Sequence, residues 1–135
     1  AAFNGTGLVI WQDVFGCWLP FSRKQKKVIN QLKNVLIKFH DIIFGFNSTP
    51  LIDTLSAGLI CNQFCNNSNQ KIFAIYNFTK KKISGPFFRL ETKNKIKIQQ
   101  IFGIKNSIYC KKFKKDTVVY GTINADDVIL IHIKF

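Results

Sequence analysis

The sequence predicts an α+β chain: an N-terminal strand and a long amphipathic helix, then an antiparallel β-sandwich. Three observations carry that reading. One apolar run, residues 7–11, is short and continuous. A single stretch, 23–44, repeats its apolar residues with helical period. After Pro50 the chain breaks into short apolar runs separated by turn residues. The division falls at 46/47, giving a strand–loop–helix unit over 1–46 and a β-sandwich domain over 47–135.

Gly7-Leu-Val-Ile-Trp11 reads as a strand buried on both faces, as in a parallel sheet. Residues 12–21 form an aromatic loop. Ser22 and Gln25, three apart, make a capping box and start the helix at about 23. Its stripe is Val28, Leu32, Val35, Leu36, Phe39, Ile42 and Ile43, with Lys24, Lys27, Lys33 and Lys38 on other faces. Gly45 is the expected stop. Strands are expected over 58–65, 71–79, 84–92, 96–102, 106–114, 117–123 and 127–135. Asn66-Asn67-Ser68-Asn69, Ser84-Gly85-Pro86, Gly103 and Ala125-Asp126-Asp127 supply turn signals. Lys95-Ile96-Lys97-Ile98 alternates as a strand with one wet face. Val128–Ile133 is apolar enough for a central strand. A lone strand and helix cannot close a core, so the first unit reads as the last β/α piece of a larger α/β structure.

A chain of 135 residues supports one real core, and 47% apolar residues argue against disorder. No run of 18 apolar residues exists, so no membrane-spanning helix is expected. With no Met anywhere, the chain is expected to start inside a longer gene or to be processed. The net charge of +13 is concentrated: residues 71–135 hold fourteen of the twenty basic residues and four of the seven acids. Such a half can attract phosphate backbones, anionic lipid or acidic polysaccharide, but a solvated Lys surface is the favoured explanation. Two Arg against eighteen Lys disfavours sequence-specific DNA reading, which leans on Arg forks.

Cys17, Cys61, Cys65 and Cys110 allow two disulfides, and a bridge from Cys61 or Cys65 to Cys110 is the expected one. Neither their spacing nor that of His40 and His132 fits a metal site. No cofactor is expected, since phosphate loops, G-x-S-x-G elbows and H-E-x-x-H helices are missing. Sequons at Asn4, Asn47, Asn66 and Asn77 carry little weight in an Asn-rich chain.

The stretch Phe3-Asn-Gly-Thr-Gly-Leu-Val-Ile-Trp-Gln-Asp-Val-Phe-Gly-Cys-Trp18 resembles the eighth strand and following loop of glycoside-hydrolase-like (β/α)₈ barrels. On that resemblance the 22–44 helix is the last barrel helix, and Thr49-Pro50-Leu51 crosses into the C-terminal β-sandwich such enzymes carry. Ile72-Phe-Ala-Ile-Tyr-Asn-Phe-Thr79 is similar to the sandwich strand bearing their Leu/Val-x-Asn-Arg/Lys pattern, and Ser84-Gly85-Pro86 and 125–135 fit the same module. The first 46 residues are then a TIM-barrel remnant. The implied partners are the carbohydrate substrate of the intact parent and the missing N-terminal barrel of the same chain. A secreted or periplasmic location follows by association.

Barrel strands aim their C-terminal ends at the active-site mouth, where the resemblance places Trp11 as the floor of a sugar subsite. Its ring face suits the apolar face of a pyranose, and its N–H can donate to a hydroxyl. Phe15 and Trp18 extend that wall, Asn4 stands at the rim and Asp13 is a loop or ligand hydrogen-bonder; Trp11 serves equally well to cap the barrel core, and for Phe15 and Trp18 that packing role is the favoured one. Glycosidases need two carboxylates and Asp13 is one, so no catalytic residue is expected in this chain. The parent is read as a hydrolase and the fragment alone as catalytically silent. The alternative is a free-standing basic β module. Lys80–Lys82 and Lys111-Lys-Phe-Lys-Lys115 would then track acidic glycan or, less favoured, nucleic acid. Lys-rich hairpins also simply block edge pairing.

Overall fold

The structure, a computed structural model, describes residues 1–6, 21–45, 47–66, 69–92 and 94–135. The strand expected over 7–11 and nearly all of the 12–21 loop lie outside these residues. Helix α1 spans Arg23–Lys38 and α2 spans His40–Ile43. Strands follow as β1 Leu59–Cys65, β2 Gln70–Asn77, β3 Ile83–Glu91, β4 Lys97–Phe102, β5 Ile108–Phe113, β6 Asp116–Ile123 and β7 Val128–Lys134. Each of the seven expected strands is present.

The helix starts where the capping box puts it. Ser22 Oγ accepts from Gln25 N–H at 3.2 Å, and Gln25 Oε1 accepts from Ser22 N–H at 2.8 Å. Such a cap contributes about 1 kcal/mol. The helix does not run unbroken to 44. Phe39 leaves helical geometry at φ −115°, ψ 23°, closing α1 through its N–H to Val35 O. That break turns Ile42 and Ile43 into the core while the Phe39 ring lies 4.8 Å from His132. Nor does Gly45 end the helix by a left-handed φ. A Cβ there would stand 3.0 Å from Asp41 O and 3.1 Å from Cys65 O, so close approach to the end of β1 selects glycine.

Two antiparallel sheets form, one of four strands in the order β1-β2-β7-β4 and one of three in the order β3-β6-β5. The apolar run of β7 is central, as expected. Alternation assigns each residue to a face. Leu59, Cys61, Phe73, Ile75, Ile129, Ile131 and Ile133 meet Phe87, Phe88, Leu90, Val119 and Ile123 of the smaller sheet in one core. The other face of the larger sheet, carrying Phe64, Ile72, Ala74, Phe102 and Leu130, is covered by Leu32, Val35, Ile42 and Ile43. The layers are therefore helix, four-stranded sheet, three-stranded sheet. A bulge between Pro86 and Phe88 lets the neighbours Phe87 and Phe88 both be fully buried. Ile96 and Ile98 join the core and Lys97 stays exposed, as their alternation predicts.

The expected disulfide is not formed. Cys61, Cys65 and Cys110 are free thiols. Cys61 lies on β1, an edge of the larger sheet, and Cys110 on β5, an edge of the smaller one. Cys61 is fully buried among apolar side chains, and that burial pushes its thiol far above the usual range, leaving it inert.

Candidate functional site

Of the residues expected at a sugar site, Trp11, Asp13, Phe15 and Trp18 lie outside the described residues. Asn4 is described, and the fold accounts for its placement. The Phe3 ring packs 6.1 Å from that of Tyr76, and Asn62 Nδ2 donates to Phe3 O at 3.1 Å. Gly5 takes φ +63°, and a Cβ there would come within 2.9 Å of Ile43 Cγ2 and of the Phe64 ring. This turn is thus clamped to the helix-covered face of the four-stranded sheet, and it holds Asn4 exposed.

On the same face, a recess of about 370 Å³ opens where α1 ends. Lys38, Phe39, Gln70, Gln99, His132 and Lys134 line it. His132 is the buried polar residue at its base, with Nε2 2.9 Å from Gln70 Oε1. Burial, followed by Lys134 and Lys38, lowers its pKa from 6.5. The folded state therefore prefers neutral imidazole, and below the ordinary value the unfolded chain binds more protons. The stability this residue contributes is full above 6.5 and falls as the pH drops below it. Urea denaturation should show wild type losing stability as the pH falls below 6.5, with a shallower slope for His132→Gln. Equal slopes would mean that His132 titrates freely in the fold.

A second hollow, of about 490 Å³, borders β4 and the 103–108 loop. Its central amide is committed to structure. Gln100 Nε2 donates to Phe102 O at 3.1 Å and Ile104 O at 2.6 Å, and Gln100 Oε1 accepts from Asn106 N–H at 2.9 Å.

The solvent face of the three-stranded sheet carries the third grouping. Tyr109 and Tyr120 are cross-strand partners with ring centroids 5.4 Å apart and planes 8° from parallel. Lys111 Nζ lies 5.9 Å and 5.3 Å from the two ring centres. Phe113, two residues on, is 49% exposed. The sequence predicts a strand over 106–114; the alternation of β5 places Tyr109, Lys111 and Phe113 on one face, and the register brings Tyr120 against Tyr109.

The sequon at Asn77 is closed to modification in the fold, because its side chain is fully buried. The other basic run, Lys80–Lys82, forms a turn in which Lys80 pairs with Asp126. Among the described residues, no group of three or more His, Cys, Asp or Glu side chains could hold a metal ion, and no helix is long and apolar enough to cross a membrane. The chain matches no protein-family model, no curated protein and no solved structure.

Proposed function

We propose that the chain is the C-terminal part of a carbohydrate-active glycoside hydrolase. Residues 1–46 would be the last strand–loop–helix unit of its (β/α)₈ barrel, and 47–135 the β-sandwich that stabilises it. The observation that supports this reading is the overhang of α1. Residues 22–28 are all exposed, and Val28, on the same stripe as buried Leu32 and Val35, is 47% exposed. An amphipathic helix whose apolar stripe extends past the sheet it covers is suited to bury the remainder against further structure. Trp11, with Phe15, Trp18, Asp13 and Asn4, would then wall a sugar subsite. Secretion or a periplasmic location belongs to the same proposal and rests on the resemblance alone.

The test is the product of the complete reading frame, assayed on aryl glycosides and polysaccharides. Glycosidase activity is expected, with Trp11→Ala lowering kcat/KM about tenfold or more. A complete product that hydrolyses none of them, or a Trp11→Ala variant with full activity, overturns the proposal.

The Tyr109–Tyr120 face favours a second reading, a basic β module that holds acidic glycan through ring faces and Lys111. The scarcity of Arg disfavours nucleic acid. Here the isolated chain itself should bind a uronate-bearing polysaccharide, with affinity falling steeply with salt and reduced by Lys111→Gln. Affinity indifferent to both would exclude it.

A further inference from the structure

We propose that the recess at the end of α1 is an oxyanion site, built to hold a phosphate, sulfate or carboxylate group. The sheet register carries this. In β7 the odd residues Ile129, Ile131 and Ile133 face the shared core, so Leu130, His132 and Lys134 face the helix. Lys134 is directly opposite Lys97 on β4 and opposite Gln70 on β2, while His132 is opposite Gln99. Two lysines thus stand side by side on one face of adjacent strands, an arrangement that repels. Lys38 converges on them from the last turn of α1, its Nζ held 5.5 Å from the Phe39 ring centre.

Among the described residues, no acid is ion-paired with these lysines. The ion pairs among the described residues join His40 to Asp41, Lys80 to Asp126 and Arg89 to Asp116, and none involves Lys38, Lys97 or Lys134. Asp41 reaches the rim, but its side chain is 88% exposed and its carboxylate is 3.4 Å from His40 Nδ1. The concave shape separates this cluster from a lysine-rich convex surface. Its walls also offer amide donors from Gln99 and Gln70, which suit the oxygens of a bound anion. The polar groups lining the recess around His132 are Lys38 from α1, Asp41 from α2, Asn66 after β1, Gln70 from β2, Gln99 from β4 and Lys134 from β7, with Lys97 beside Lys134. An anion among them would screen the lysines from the imidazole.

That consequence gives the readout. The chain has two histidines, and His40, with its side chain 68% exposed, serves as an internal control. Long-range ¹H–¹⁵N NMR follows both rings while inorganic phosphate, sulfate or glucuronate is titrated against chloride at constant ionic strength. Phosphate, glucuronate or both should shift the His132 resonances saturably and raise its titration midpoint, leaving His40 unmoved. Lys134→Gln and Lys38→Gln, both at exposed side chains, should each weaken binding about tenfold. Phosphate and sulfate binding without glucuronate identifies a free tetrahedral ion as the ligand, and glucuronate alone a sugar carboxylate. Non-saturating shifts equal to those in chloride, or equal shifts at His40, would show simple screening and overturn the proposal. The isolated chain should behave this way whether or not a barrel precedes it.

Discussion

Replacing Asn77 by alanine should destabilise the fold by about 3 kcal/mol, a large share of what a domain of this size possesses. Asn77 is fully buried at the end of β2, and its amide ties three segments together. Nδ2 donates to Lys81 O at 2.8 Å, Asn124 O at 2.9 Å and, more weakly, Ile123 O at 3.4 Å. Oδ1 accepts from Thr79 N–H at 2.9 Å and from Thr79 Oγ1 at 2.7 Å. The turn after β2 and the turn after β6 are therefore held by one side chain. Alanine removes both the donors and the acceptor and leaves these partners, most of them part-buried, without the bonds that hold the two turns. Asn77→Asp keeps the shape but aims a carboxylate at carbonyl oxygens, so at neutral pH it should be no better tolerated. Denaturant midpoints with an unchanged slope are the measurement. A loss under 1 kcal/mol for both variants would mean that the turns hold themselves.

Phe88→Ala should cost about 4 kcal/mol, in the range for deleting a buried aromatic ring. Phe88 of β3 stacks on Phe73 of β2, with centroids 4.4 Å apart and planes 21° from parallel; both are fully buried. This contact joins the two sheets, since the strands belong to different ones. The bulge fixes Phe87 and Phe88 in the core together, which limits how far neighbours can collapse into the vacated space. Phe73→Ala should cost a similar amount. The double variant should fall short of the sum by about 1 kcal/mol, the share of ring–ring contact. Strict additivity would assign both effects to burial alone.

Much of the fold was legible because its signals are local. The Ser22–Gln25 cap, the period-2 runs and the apolar density of β7 each predict an element from contiguous residues. What failed depends on contacts between distant residues. The helix break at Phe39 is set by His132 and by the burial of Ile42 and Ile43, none of which alters the helical period of the stripe. Gly45 suggested a helix stop, yet the end of β1 is what requires it. The pairing of Cys61 or Cys65 with Cys110 failed because β1 and β5 are edges of different sheets, which the local sequence does not report. The burial of Asn77 was not legible either, because nothing local to its sequon reports burial. The recess around His132 draws on α1, β2, β4 and β7, so its lysines are unrelated in the sequence: the register sets Lys97 beside Lys134, and the end of α1 brings Lys38 to the same recess. Of the expected sugar wall, Asn4 is placed, and its exposure follows from Gly5 and Phe3 rather than from any ligand.

The central place of β7 bears on how the chain reaches its fold. Its partners β2 and β4 both precede it, and β2 begins 58 residues before it does. Until 128–134 dock, the larger sheet is only the β1–β2 hairpin and an unpaired β4, with four open edges. The pairing that unites them must close a long loop before gaining any contact, which makes folding slow and concentrates it in one late step. During that wait, the apolar edges of β2 and β4 are available to other chains. Yield on refolding should therefore be governed by concentration, and loss of 128–135 would remove the join itself rather than trim a margin.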